Sequence, residues 1–240
     1  MTTFSRRILL LGTVALLGAG AAAAVAQGLA DPDLSQLPPL HGVVGQYDLT
    51  PRGDVDGLIL QDGTEVHFPP DLGPQVVALL KPGAAVTIRG LKARTLPLVQ
   101  ALSLTEDASG HSIVDDASRN RPGRLPPPPP PPQIADPSLV QGVIRMQLHG
   151  PRGDLNGVLL QDGTMVHLPP PEADRLADQL KPGQSIAARG EGVQDQRGHV
   201  IAATAIGADP QHLAELAAPP PPPPPPPGNP GGPPPPPPAP

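Results

Sequence analysis

The strongest constraint on the fold of this chain is an internal duplication. Residues 51–90 align with residues 151–190 without a gap, and 20 of the 40 aligned positions are identical. The match includes Lys81-Pro82-Gly83, which recurs as Lys181-Pro182-Gly183. A unit of this length in only two copies predicts a duplicated domain, because solenoids are built from at least three repeats.

Each copy predicts the same order of elements. Asp62-Gly63 gives the strongest short hairpin signal, because both positions tolerate a positive φ. A helix follows, since Val76 and Leu80 share one face at helical spacing, and Pro82-Gly83 ends it. In the first copy the sequence predicts strands at residues 41–49, 57–61, 64–68, 85–89 and 98–104, with the helix between the third and the fourth strand.

Three strands, a helix and two further strands are the element order of an OB-fold, a five-stranded barrel. The predicted fold is therefore all-β with one short helix per domain: two tandem OB-like five-stranded barrels joined by a polyproline linker, and a disordered proline-rich C-terminal tail. The segments GD-x-D/N-G and LQDGT-x-VH-x-PP resemble those of exported bacterial OB-fold-like proteins, most of them uncharacterised. This resemblance covers about 65–70 residues per copy. It implies a fold and a compartment, and no activity.

Composition divides the rest of the chain. Proline supplies 41 residues and glycine 27, a share typical of extended or low-complexity sequence. The predicted organisation is a signal peptide at 1–26, a lead-in linker at 27–40, OB-like domain 1 at 41–106, a disordered and polyproline linker at 107–138, OB-like domain 2 at 139–209 and a proline-rich disordered tail at 210–240. Within the tail, residues 211–218 predict a short helical turn.

The first 26 residues have the pattern of a signal peptide. Arg6 and Arg7 precede an apolar stretch at residues 8–24, and Ala24-Val25-Ala26 predicts cleavage before Gln27. The sequence therefore predicts a periplasmic or secreted protein with no membrane span after cleavage. Two alternatives stay open: an uncleaved stretch is about long enough to serve as a membrane anchor, and the paired arginines resemble a twin-arginine export signal.

Charge and aromatic content predict that nucleic acid is not a partner. The net charge is −6, and loss of Arg6 and Arg7 with the signal peptide changes it to −8. Binding of single-stranded nucleic acid needs a basic groove and aromatic rings on which bases stack. After position 26, the sequence has Tyr47 and Phe68 as its only aromatic residues. It also contains no cysteine, which excludes disulfides and thiolate metal sites.

Five aspartates are weak candidates for a metal site: Asp54, Asp56, Asp62, Asp154 and Asp162. Oxygen-rich clusters of this kind bind Ca²⁺ in other proteins. The sequence has no twelve-residue calcium loop, however, and these aspartates lie near glycines in predicted turns, where Asp forms hydrogen bonds with the backbone. The sequence therefore favours a role in turn formation, and we expect no metal and no cofactor.

Two histidines and two arginines are the candidates for contact with a ligand or partner. His67 and His167 occupy the same position in the two copies, and we expect each on the outward face of the third strand, near the barrel rim. One histidine per domain is too few for a tetrahedral zinc site. Arg52 and Arg152 lie in the Pro-Arg-Gly-Asp turns, where a salt bridge within the turn is the simpler expectation.

The sequence contains no arrangement typical of an enzyme, neither G-x-S-x-G nor a P-loop, and we expect no enzymatic activity.

The proline run at residues 126–132 predicts a semi-rigid spacer that holds the barrels roughly 20 Å apart. A docking ligand for an aromatic-lined groove is the alternative role of the proline runs.

Three hypotheses for function follow. The first is a non-enzymatic exported binding module, with two separated barrels that engage a small molecule, an oligosaccharide or an envelope protein. The second is a structural envelope protein whose proline tail makes the contact. The third is a divalent-metal-binding stress protein that uses the aspartates and histidines. The duplication favours the first, because tethered copies gain avidity when the linker geometry fits.

Overall fold

The computed structural model describes residues 34–115 and 136–217. The predicted signal peptide, the proline run at 126–132 and the proline-rich tail from residue 219 lie outside the described residues. Within the described parts of the chain, no helix is both long and apolar enough to cross a membrane.

The first copy folds into a closed barrel, which we call barrel 1. Its elements are β1 (Leu40–Leu49), β2 (Val55–Leu60), β3 (Glu65–His67), α1 (Gly73–Leu79), β4 (Ala85–Lys92), β5 (Leu98–Glu106) and β6 (Ser112–Val114). Strand β1 pairs with β2 on one side and β4 on the other, and the parallel pairing of β3 with β5 closes the barrel. This is the strand arrangement of an OB-fold.

The second copy repeats the arrangement as barrel 2. Its elements are β7 (Asp136–His149), β8 (Leu155–Leu160), β9 (Thr164–His167), α2 (Pro170–Arg175), β10 (Ser185–Asp195), β11 (Gly198–Gly207) and β12 (Ala214–Glu215). The parallel pairing of β9 with β11 closes this barrel. The predicted fold, two tandem OB-like five-stranded barrels with one short helix each, is confirmed.

Each barrel also gains a short sixth strand that the sequence did not predict. Strand β6 pairs with β5 although residues 107–138 were expected to form the linker, and β7 begins within that segment. Strand β12 pairs with β11, so the helical turn predicted at residues 211–218 is wrong. Both additions cover the free edge of the fifth strand, where unpaired backbone groups would otherwise face water.

The two barrels pack directly against each other, and we call this contact the seam. The apolar core of barrel 1 continues without a break into four side chains of barrel 2: Leu148, Leu159, Met165 and Val200. The prediction that a proline spacer holds the barrels apart is therefore wrong. Burial of these outward-facing apolar side chains favours contact, and a linker limits only the greatest separation of the barrels.

Candidate functional site

The seam is built from equivalent elements of the two copies. The backbone N–H of His149 donates to Glu65 Oε2 at 2.7 Å, and the His149 ring Nδ1 lies 2.8 Å from Glu65 Oε1. At the equivalent position across the seam, the N–H of Leu49 donates to the sulfur of Met165 at 3.4 Å. The carbonyl of Leu49 also accepts a hydrogen bond from Nε2 of His167 at 2.7 Å. The two sides match in position and differ in chemistry.

His67 lies inside the seam rather than on an exposed rim. It is 3% exposed, and its ring interacts with the His149 backbone across the seam, although neither ring nitrogen forms a hydrogen bond of good geometry. Its Nδ1 lies 4.0 Å from Asp48 Oδ2, and its Nε2 lies 4.0 Å from Glu65 Oε2. The side chain is on the outward face of β3 as predicted, but it is not exposed at a rim, because barrel 2 covers that face. Burial lowers the pKa of both His67 and His167.

Asp48 gives barrel 1 an acidic seam face that the sequence analysis missed. The side chain is buried, and burial together with the Asp56 and Glu65 carboxylates raises its pKa well above the usual range. Copy 2 has Leu148 at this position, and Met165 in place of Glu65. The available signal was an aspartate inside a predicted strand, at a position where the other copy is apolar.

The candidate aspartates serve mainly as turn residues. Oδ1 of Asp62 accepts a hydrogen bond from the N–H of Thr64, and Oδ1 of Asp162 accepts one from the N–H of Thr164, both at 2.9 Å. The carbonyl of Asp54 closes the first turn of its copy by accepting from Thr50. Across residues 34–115 and 136–217, no group of three or more His, Asp or Glu side chains is placed to hold a metal ion.

Asp154 and Asp56 complete that set. The carbonyl of Asp154 accepts a hydrogen bond from the N–H of Gly150 at 2.8 Å, as Asp54 does in the first copy. Asp56 is half-buried, and burial raises its pKa to about 6.

Arg52 and Arg152 are exposed, and neither forms an ion pair within the described segments, so the predicted salt bridge within the turn is absent there.

The seam occupies the surface that OB-folds generally use for ligands. That surface consists of the second and third strands together with the loops between strands 1 and 2 and between strands 4 and 5. A Cβ placed on Gly53 would lie 3.1 Å from Val193 of β10, and one on Gly153 would lie 3.3 Å from Leu96. In both copies, therefore, the first of these loops contacts the fourth-to-fifth strand hairpin of the other copy.

A cavity of about 340 Å³ opens at one end of barrel 2, away from the candidates predicted from the sequence. Its apolar floor consists of Leu176, Leu180, Ile186 and Ile206, all of them buried. Its rim carries Gln179, Gln184 and Ser185, which are exposed and form no side-chain hydrogen bond with the residues that the structure describes. The end of a barrel is one of the places where small-molecule sites commonly form.

Differences between the copies explain why barrel 2 is open here. Helix α1 continues to Leu79, whereas α2 ends at Arg175 and a non-helical turn follows. The pairing of β4 with β5 extends to Val86, one residue further than the equivalent pairing of β10 with β11. Barrel 1 also carries the larger side chain Ile88 where barrel 2 has Ala188, which pairs with Ile206 on the cavity floor.

Tyr47 further fills barrel 1. Its ring is buried and its hydroxyl donates to the carbonyl of Leu80 at 2.9 Å. The equivalent residue in barrel 2 is Gln147, whose Nε2 lies 3.5 Å from the carbonyl of Ala177. A flexible amide replaces a packed ring, so the interior of barrel 2 is less completely filled than that of barrel 1.

The rim of this cavity was not predicted from the sequence, although a signal was present. Relative to copy 1, Leu79 becomes Gln179, Ala84 becomes Gln184 and Ala85 becomes Ser185. Leu180, which lies between these positions on the cavity floor, is unchanged. A change from apolar to polar residues around an unchanged apolar position indicates a new hydrogen-bonding rim, and only a comparison of the two copies reveals it.

Comparison with known proteins yields structural neighbours alone. No protein-family model matches the chain, and no curated protein matches it. Two similar solved structures are a deletion variant of the single-stranded DNA-binding protein from Thermus aquaticus and the wild-type form of that protein. Both are 15% identical with a TM-score of 0.22 and cover 76% of this chain, which spans 95% and 93% of theirs.

This comparison corrects one prediction. The sequence analysis excluded nucleic acid as a partner, yet the similar solved structures are those of single-stranded DNA-binding proteins. The exclusion is therefore wrong as it stands. At 15% identity and a TM-score of 0.22, the likeness assigns no ligand to this chain.

Proposed function

We propose that this chain is an exported, non-enzymatic binding module in which barrel 2 holds a small ligand and barrel 1 serves as its scaffold. The observation that carries the proposal is the cavity of barrel 2, with a buried apolar floor beneath a rim of polar side chains. Ligand pockets are typically apolar with a few convergent polar groups, and their volumes begin at about 300 Å³. A signal-peptide pattern at residues 1–26 supports export.

The chemistry of the lining favours an uncharged ligand with an apolar body. Gln179, Gln184 and Ser185 offer amide and hydroxyl groups that both donate and accept hydrogen bonds. Asp178 is the one charged residue of the lining, and its carboxylate already pairs with Lys181 at 2.7 Å. A hydroxyl- or amide-bearing head at the rim and an aliphatic part on the floor satisfy both kinds of surface.

Binding can be tested with the full chain by calorimetry and thermal shift against three probes. These are a short alkyl glycoside, the fatty acid of the same chain length and a single-stranded DNA oligonucleotide. We expect the alkyl glycoside to bind with one site per chain and to raise the melting temperature. The fatty acid should bind more weakly, because its carboxylate must be desolvated without a basic partner.

The two copies supply matched variants. Gln184→Ala with Ser185→Ala restores the residues of copy 1 at these two rim positions and should weaken glycoside binding about five- to 150-fold, since two neutral hydrogen bonds contribute about 1–3 kcal/mol together. The reciprocal change in barrel 1, Ala84→Gln with Ala85→Ser, should leave binding unchanged. Equal affinity in all three proteins would place the ligand elsewhere, and binding of the DNA probe alone would replace the proposal.

Export has its own test. The chain should be recovered from the periplasmic or extracellular fraction with Gln27 as its first residue, as determined by N-terminal sequencing. Recovery with Met1 intact would instead indicate that the first segment is retained.

A further inference from the structure

The seam places two acids of barrel 1 against a face of barrel 2 that is apolar at the equivalent positions. Barrel 1 contributes Asp48 and Glu65, both buried. Barrel 2 contributes Leu148 and Met165 at the same positions, and His149 where barrel 1 has Leu49. The two halves of the interface therefore use equivalent positions of the duplicated domain, but the side chains at these positions differ and complement each other.

A pair of two first barrels would bring like charges together. The equivalent geometry would place two Glu65 carboxylates and two buried Asp48 side chains in a single interface, with Leu49 opposite Glu65 in place of the imidazole. Burial of carboxylates without a partner is strongly unfavourable. Repulsion of this kind against the wrong partner is a recognised source of specificity.

A pair of two second barrels would lack an acid for His149. The imidazole Nδ1 and the backbone N–H of His149 both bind the Glu65 carboxylate, and the imidazole is largely buried. Met165 would stand opposite instead, and a thioether accepts only weak hydrogen bonds. At least one polar group of His149 would then lose its partner, which favours the unlike pair.

We infer that the seam is a pairing surface specific for the unlike barrel, and that Glu65 and His149 set this specificity. The partner that fits barrel 1 is barrel 2, from the same chain or from a second copy of it. The two barrels remain associated when the linker is cut, and they exchange between chains without forming like pairs. This surface is separate from the ligand cavity proposed above.

The test uses the full chain with a protease site inserted after Asn120, in the segment between the described parts of the two barrels. A normal preparation and a uniformly ¹⁵N-labelled one are cleaved, mixed and examined by native mass spectrometry. Each barrel 1 should be found with a barrel 2, light or heavy, and unlike pairs should exceed like pairs at least about tenfold. Separation of the barrels at micromolar concentration, or abundant like pairs, would overturn the inference.

A double variant isolates the specificity residues. Glu65→Met with His149→Leu reproduces the Met165–Leu49 contact already present on the other side of the seam. The barrels should still associate, but pairs of two second barrels should now appear, because His149 no longer needs an acid. If like pairs stay absent, or if association is lost altogether, Glu65 and His149 do not set the specificity.

The control removes an acid–histidine pair that lies outside the seam. Asp209 and His212 are exposed and their side chains pair at 2.9 Å in barrel 2. Asp209→Met with His212→Leu should leave the distribution of pairs as in the unaltered chain. A change in pairing as large as that of the seam variant would show that loss of any such pair alters association, and would contradict the inference.

Discussion

Asp56 carries an electrostatic cost that its counterpart in the other copy lacks. Its pKa in the folded chain is about 6, raised mainly by burial from an ordinary value of 3.8, and copy 2 has Asn156 at this position. A carboxyl whose pKa is raised by folding stabilises the fold below pH 3.8, and this contribution is lost as pH rises through 6. Above that pH the buried charge destabilises barrel 1.

The substitution Asp56→Asn should therefore raise the free energy of unfolding at pH 8 and change it little at pH 4. The rise of the Asp56 pKa from 3.8 to about 6 corresponds to at most about 3 kcal/mol, and partial exposure reduces the expected gain to about 1–2 kcal/mol. Urea denaturation at the two pH values measures it. Asp62→Asn, at an exposed turn position, is the control, and an equal effect of Asp56→Asn at both pH values would contradict the assignment of the cost to ionisation.

Sequence reasoning at the scale of single residues succeeded where chemistry is local. The hydrogen bonds of Asp62 and Asp162 follow from a turn two residues long, and both form as the turn chemistry predicts. The environment of His67 could not be predicted in this way. Its neighbours come from β1, β3 and the other barrel, so its burial depends on an interface that the local sequence does not encode.

The fifth strand of each barrel carries a bulge, which lies opposite one glycine of the fourth strand. The register of β10 with β11 shifts between Arg189 and Gly190, and the same shift occurs at Gly90 in barrel 1. A Cβ on Gly190 would overlap the carbonyl oxygen of Ala202, a backbone atom that cannot move without breaking the ladder. Bulges of this kind bend a strand so that a barrel can close.

Gly190→Ala should consequently destabilise the chain by about 2–4 kcal/mol, since the strand must shift to relieve the overlap. Gly63→Ala is the comparison. Gly63 has a φ of +86° and open space around its Cβ position, so it should lose only about 1 kcal/mol from backbone strain. Thermal unfolding of both variants gives the ranking, and a smaller loss for Gly190→Ala than for Gly63→Ala would contradict this account of the bulge.

Element order was predictable because hairpin and helix-stop signals recur in both copies, and a signal found twice is hard to misread. Element ends were less predictable. Strands β6 and β12 are two or three residues long and are stabilised by pairing with the fifth strand, so their own sequences carry little strand signal. The early end of α2 at Arg175 was likewise not predictable, since the sequence pattern allows the helix to continue to Leu180.

At the scale of the whole molecule, apolar residues on both faces of the second strand indicated that the barrel has a covered outer face at the seam. Leu58, Ile59 and Leu60 form a continuous apolar run, and residues 158–160 repeat it. Such a run is typical of a strand buried on both sides, whereas a lone barrel buries only one side. The proline-rich linker suggested instead that the barrels are separated. The composition of a linker indicates its stiffness and its greatest length, but not the affinity of the two barrels for each other.

A shared core predicts that the two barrels unfold together. Leu159 is fully buried and joins the core of barrel 1 although it belongs to barrel 2. The unaltered chain should therefore show one calorimetric transition, with the calorimetric enthalpy equal to the van't Hoff enthalpy. Leu159→Asp places a charge without a partner in the seam, where burial costs several kcal/mol, so the barrels should separate and unfold in two transitions.

The control for this experiment is Leu139→Asp, because Leu139 is 56% exposed on β7 and a charge there remains in water. That variant should keep the single transition with little change in melting temperature. Two transitions in the unaltered chain would mean that the seam is too weak to couple the barrels. The duplicated domains would then act as tethered units, and the linker would again decide how far apart they work.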